Sequence, residues 1–316
     1  MTTTVDSCAQ AFSVWAVLTV YYDPIYTDGL DPSVRFPRER YRLLAERLQS
    51  HSQLCMQRPR RATREEILRA HQADYVDAFL AGTLDAEQIR RIGLRPWTAA
   101  IVERTLRITG GSLQALELAL RSGGIAGNMA GGTHHAYYEC GSGYCIFNDL
   151  AICALTALLE PTIRRVLILD LDVHQGDGTA AILADHADIF TCSIHCESNF
   201  PFRKQQSDLD VHLADDTDDR TYLSALDRTL KKIRPQDFDL ILYQAGVDPL
   251  VADALGKLAL TREGLQQRNQ RVFEYHQLHA IPMVIFMGGG YAQPIEHSVD
   301  CFEDLFVDAA IADQTE

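Results

Sequence analysis

The sequence predicts an α/β fold in one domain, with a central, mostly parallel β-sheet flanked by helices. Two patterns lead there. Short, unbroken apolar runs recur along the chain, and amphipathic stretches of helical period separate them. Strands covered on both faces read as continuous apolar runs, and parallel neighbours need helical crossovers. A third observation is bulk composition. The 316 residues are 47% hydrophobic and 23% charged, an ordinary globular balance that can bury a sizeable core.

The strands predicted in order are "VWAVLTVYY" (14–22), "GIAGNMA" (124–130), "RVLILDLDV" (165–173), "IFTCSIH" (189–195), "FDLILYQAG" (238–246) and "IPMVIFMGG" (281–289). Helical periodicity marks "TREEILRAHQADYVDAFLAG" (63–82), "SLQALELALRS" (112–122), "DLAICALTALLE" (149–160), "DRTYLSALDRTLKKI" (219–233) and "TREGLQQRNQRVFEYHQLHA" (261–280). No repeat, low-complexity tract or Pro/Ser-rich linker divides the chain, so residues 1–316 are expected to form a single domain. The apolar stretch 11–22 lacks a basic leader and a cleavage-like site and is too short to span a bilayer. A cytoplasmic protein without a membrane span is expected. Eight cysteines without a CxxC pair read as free thiols of a reducing compartment. The net charge of -14 argues against direct nucleic-acid binding and suits basic partners.

In doubly covered sheets the ligand site lies beyond the carboxyl ends of the strands. The polar residues there are His134 and His135, then Asp170, Asp172 and His174, then His195, Asp248 and the run Gly288–Tyr291. "LILDLDVHQGDG" (167–178) is the most informative segment. Strand alternation places Asp170, Asp172 and His174 on one face, and buried carboxylates are costly unless paired or metal-bound. Asp172, His174 and Asp248 offer two carboxylates and one imidazole, a set suited to catalytic Zn²⁺ and also to Fe²⁺ or Mn²⁺. His71 reads as a structural helix residue and His195 as a hydrogen-bonding neighbour of the site. His51, His186, His212, His276, His279 and His297 read as solvated or capping, and Asp253 as a loop carboxylate at the rim.

"GGTHHA", "GSGYC", "DLDVHQGDG", "AGVDPL" and "GGGY", in this order and spacing, resemble the histone deacetylase family of the arginase/deacetylase fold. The resemblance runs from about Val17 to the end. Gln175 and "GVDPLVADALGKLALT" look most like the class IV branch and its bacterial relatives. The resemblance implies a zinc-dependent amide hydrolase that removes acetyl or longer acyl groups from lysine side chains of proteins or peptides. Its metal ligands would be Asp172, His174 and Asp248. His134 and His135 would handle protons, oriented by Asp170 and Asp177, and Tyr291 would stabilise the oxyanion. Gly143, Tyr144, Phe200 and Gly289 would line the substrate channel. Backbone carbonyls of Asp170, Asp172 and His174, with Ser193, would hold a structural K⁺ or Na⁺.

Three other readings compete. A binuclear ureohydrolase of the same fold needs a carboxylate where this chain has Gly176, and paired aspartates where it has Asp248 followed by Pro249. An amidase for acetylated polyamines or other small acylated amines would carry an acidic gatekeeper at the rim, and none is evident. A non-catalytic acyl-lysine binder would be expected to lose Tyr291, a metal ligand or the histidine pair, and all are present. Acyl length and oligomeric state have no signature in the sequence.

Overall fold

The computed structural model describes residues 17–233 and 237–314. Eight strands occur among them: β1 (Leu18–Tyr21), β2 (Leu54–Gln57), β3 (Ile125–Asn128), β4 (Val166–Asp170), β5 (Ile189–Cys196), β6 (Leu209–Leu213), β7 (Leu240–Gln244) and β8 (Met283–Phe286). The helices are α1 (Ile25–Asp28), α2 (Glu39–Leu48), α3 (Arg64–Ile67), α4 (Ala73–Leu80), α5 (Ala86–Ile92), α6 (Ala100–Ser122), α7 (Asp149–Ala157), α8 (Asp177–Leu183), α9 (Asp219–Ile233), α10 (Arg262–His279) and α11 (Glu296–Ala312).

The strands form one sheet in the order β2-β1-β3-β8-β7-β4-β5-β6. Every pairing is parallel. The central strands β3, β8, β7 and β4 are buried throughout. Each Val, Leu, Ile or Phe side chain buried there contributes about 1.5–3 kcal/mol relative to exposure. These four strands are consecutive neighbours, so the loops leaving their carboxyl ends share one crevice.

Capping side chains place the helix starts. Thr63 and Glu66 form a capping box on α3, and Asp85 and Gln88 form one on α5. Asn148 caps α7 by accepting the Ala151 N–H, and Thr261 caps α10 by accepting the Gly264 N–H.

The structure corrects several expectations. Edge strands β2 and β6 are not in the predicted set. They are short and only partly buried, so they lack the apolar run that marks a central strand. Residues 63–82 are not one helix. The chain breaks between α3 and α4, where His71 turns inward and bonds the Tyr137 carbonyl and the Asn148 N–H. His71 is therefore structural, in a bend rather than a helix. His276 is buried against the Ile281 carbonyl rather than solvated. Strand β4 ends at Asp170, so Asp172 and His174 lie in the turn beyond it and not on a strand face. Residues 14–16 and Cys8 lie outside the described residues, and the other seven cysteines are free. Among the described residues, no helix is long and apolar enough to cross a membrane.

Candidate active site

Asp172 and His174 come from the turn after β4, and Asp248 from the loop after the neighbouring β7. One ligand atom from each lies within 4.8 Å of the others, and all three residues are buried. The carboxylates are held for this purpose. Asp248 Oδ1 accepts the Val173 N–H at 2.8 Å, and Asp172 Oδ2 accepts the Gly289 N–H at 2.8 Å. Their other oxygens face His174 Nδ1 at 3.0 and 3.1 Å. Burial opposes charge on His174, yet the two carboxylates raise it to about 10. Burial and the Asp172 charge push Asp248 up to about 7. Two carboxylates and an imidazole buried this close together are costly unless a cation neutralises them, and the O, N, O donor set fits a divalent metal. Gly289 is required here, because a Cβ would lie 2.0 Å from Asp248 Oδ2. Gly289 therefore shapes the Asp–His–Asp cluster as well as lining the cavity.

His134 and His135 stand on the loop after β3, with ring centroids 4.1 Å apart. His134 Nδ1 pairs with Asp170 Oδ2 at 2.7 Å, and His135 Nδ1 with Asp177 Oδ1 at 2.6 Å. Their surroundings drive them apart. Burial disfavours charge on His134, but Asp170 and Asp172 raise it to about 9. Burial and the neighbouring His134 charge lower His135 to about 4, and Asp177 only partly offsets this. The opposed directions favour a proton on His134 and a neutral imidazole at His135, the pairing that acid and base roles require. Asp177 stays ionised, because the donors His135 and Tyr137 outweigh its burial.

Tyr291 follows the Gly288–Gly290 run after β8. Its ring lies beside Tyr144 and Phe36, and burial holds its hydroxyl protonated well above the usual phenol range. A protonated phenol can donate to developing negative charge in the cavity. His195 is buried, bonded to Ser193 Oγ and to His212, and belongs to the surroundings rather than to the ligand cluster.

The Histone deacetylase domain model matches residues 34–302. The chain belongs to the histone deacetylase family. It is 44% identical to an uncharacterized protein of Picosynechococcus sp. (strain PCC 7002), over 89% of this chain and 94% of that one. It is 30% identical to histone deacetylase RPD3 of Saccharomyces cerevisiae, over 81% of this chain and 63% of that one. Identity is also 30% to the acetoin utilization protein AcuC of Bacillus subtilis, over 74% of this chain and 66% of that one. This chain therefore spans nearly all of the Picosynechococcus protein and just under two thirds of the other two. A crystal structure of an HDAC homolog complexed with SAHA shares the fold, with a TM-score of 0.79, 23% identity and coverage of 93% of this chain and 84% of that one.

In this deacetylase-family chain one cavity of about 870 Å³ joins the cluster, the histidine pair and Tyr291 to the surface. The expected channel residues Gly143, Tyr144, Phe200 and Gly289 all line it. Phe200 meets His135 edge-on at 4.8 Å. Gly143 has φ +54, and a Cβ there would lie 2.7 Å from the His135 ring. Tyr144 packs against Phe36 at 5.4 Å and Tyr291 at 6.0 Å.

Several residues around the site, Asp253 apart, carry no signal in the sequence. Arg40 of α2 is buried and donates to the Gly288 and Gly290 carbonyls at 2.9 and 3.0 Å, fixing the turn that carries Tyr291. Arg268 of α10 donates to the Gly246 carbonyl at 2.6 Å and so supports the Asp248 loop from beneath. Asp253, expected at the rim, accepts the Tyr291 N–H at 2.6 Å and thereby anchors Tyr291. Tyr137 donates to Asp177 Oδ2 at 2.8 Å. Lys204 Nζ donates to three carbonyls around Phe200, those of Glu197, Asn199 and Pro201, at 2.7–3.0 Å. Only Asp253 was singled out by its place in a motif. The others bond to backbone carbonyls or to a residue of a distant segment, which composition and periodicity do not reveal.

Proposed function

We propose that this protein is a zinc-dependent lysine deacylase, a class IV-like, cytoplasmic member of its family acting as one domain. It hydrolyses the amide of acetyl- or longer acyl-lysine in proteins or peptides. The observation that carries the reading is the pair of adjacent imidazoles with opposed proton affinities, beside a buried Asp–His–Asp cluster and a protonated tyrosine. Asp172, His174 and Asp248 would hold the metal. When bound, it polarises the amide carbonyl and acidifies water.

The chain's own residues do the rest. Phe200 and Tyr144 hold the aliphatic lysine stem in the channel. Neutral His135, oriented by Asp177, takes the proton from the attacking water. Tyr291 donates to the oxyanion that develops on the carbonyl oxygen. Protonated His134 returns a proton to the departing amine as the carbon–nitrogen bond breaks. Asp170, Asp172 and His174 carbonyls with Ser193 would hold a K⁺ or Na⁺. A ureohydrolase is disfavoured by Gly176 and Pro249.

The test is Tyr291→Phe, measured on acetyl-, butyryl-, octanoyl- and myristoyl-lysine peptides and on acetylated polyamines. The expected result is a loss of about 10²–10³ in kcat, roughly 2.7–4 kcal/mol, with little change in KM. Full activity in Tyr291→Phe would contradict the mechanism. Binding without turnover by the wild type on every substrate would favour an acyl-lysine binder. Turnover of polyamine conjugates alone would favour the small-molecule amidase.

A further inference from the structure

The mouth of the cavity has a charge opposite to that of the whole molecule. The chain carries a net charge of -14. At the mouth, however, the charged side chains lining the cavity outside the reaction centre are Arg91, Arg203 and Glu139. All three are exposed. The Lys204 ammonium, next in the chain to Arg203, lies beside the Phe200 loop, where the nearby carboxylates of Glu197 and Asp210 offset its charge. Several surface arginines elsewhere, Arg42, Arg60, Arg64 and Arg262 among them, each pair with a carboxylate at 2.5–2.7 Å. Among the described residues no carboxylate lies within ion-pair distance of Arg91 or Arg203, so both guanidinium groups are free to meet an incoming anion. Arg91 is also held in place, with its guanidinium 5.6 Å from the centre of the Tyr137 ring.

A second observation concerns apolar surface. Phe202 is 89% exposed and Leu255 44%, and both line the same mouth. Tyr138, 51% exposed, stands between the lining residues Tyr137 and Glu139. Exposed aromatic side chains interleaved with arginine are the composition of surfaces that bind polypeptide. A small amine would be enclosed by the channel and would leave this rim unused.

Resting on the deacylase reading, we infer that the mouth selects polypeptide substrates whose acylated lysine is flanked by carboxylates and an apolar side chain. Arg91 and Arg203 take the carboxylates, while Phe202 and Leu255 take the apolar side chain. Polybasic segments and polyamines are disfavoured, because they bring positive charge to a positive rim.

The experiment compares two peptides with the same acyl-lysine, one flanked by Asp, Glu and Leu and the other by Lys and Arg. An acetylated polyamine is the third arm, and free Nε-acetyl-lysine separates recognition of a peptide from that of any carboxylate. Both kcat/KM and the Kd of each ligand are measured at low and high salt. The expected result is a preference of tenfold or more for the acidic peptide, shrinking as salt screens the charges. The Arg91→Glu/Arg203→Glu protein should lose or reverse that order. Arg203→Glu alone, which leaves Tyr137 untouched, should move part of the way. Equal or better use of the basic peptide or the polyamine would overturn the inference, as would an order unchanged in the double variant. Equal use of free Nε-acetyl-lysine would remove the polypeptide part. If no ligand is turned over, the deacylase reading fails, and the order of Kd values still decides the charge preference of the mouth.

Discussion

At the scale of single residues, the site is built by dividing each polar group between two duties. Asp172 and Asp248 each give one oxygen to a backbone N–H and turn the other toward His174 Nδ1, and that second oxygen of Asp172 also accepts the His174 N–H. These backbone bonds fix the orientation of both carboxylates. Asp248 brings the one donor that follows β7, while the other two follow β4. Asp248→Ala should therefore lose most of the one equivalent of divalent metal expected to co-purify with the wild type, as read by metal analysis of the folded protein. Undiminished metal content in that variant would remove the ligand assignment. These residues were legible in the sequence because each lies within a few positions of a strand end. Their proton affinities were not legible, since the split between His134 and His135 depends on which carboxylates face them and on how deeply both are buried.

At the scale of elements, the segment after β5 shows how a channel wall is made rigid. Asn199 is buried, donates to the Leu255 carbonyl at 2.7 Å and accepts the Lys257 N–H at 3.0 Å. Lys204 then closes the segment on itself through three carbonyls. Phe200 is thereby presented to His135 before substrate arrives, which lowers the ordering cost of binding. Lys204→Ala should raise KM roughly five- to tenfold for an acyl-lysine peptide, with kcat and metal content nearly unchanged. Lys204→Arg should restore it only in part, because the guanidinium donors lie in one plane, whereas the ammonium points three diverging donors at the three carbonyls from a single atom. An unaltered KM in Lys204→Ala would show that Phe200 is held by Asn199 alone. The sequence identified Phe200 but not the residues that hold it.

For the whole molecule, buried neutral histidine links stability to pH. His71 joins the α3–α4 bend to the loop before α7, and burial lowers it to about 4. Between pH 6.5 and 4 the unfolded chain binds this proton and the folded chain does not. The contribution is present in full above about pH 6.5 and is lost as pH falls toward 4, on the order of 3 kcal/mol. Urea unfolding midpoints should fall across this interval, and fall less in His71→Gln, which cannot titrate. An equal fall in the variant would assign the acid sensitivity to other groups.

The sequence alone was enough for the fold class, the central strands and the side chains that the fold gathers at the candidate site. The reason is local: a doubly covered parallel strand must be apolar, and the chemistry must stand just past its end. Tertiary structure decided what depends on partners far away in the chain. Arg40 reaches carbonyls some 250 positions on, the edge strands take their place from neighbours rather than from apolarity, and Arg91 and Arg203 come to line one cavity only in the finished fold. There the local charge runs against the acidic composition of the chain. A net charge counts residues without regard to position, whereas a ligand meets only the few that the fold brings to one rim.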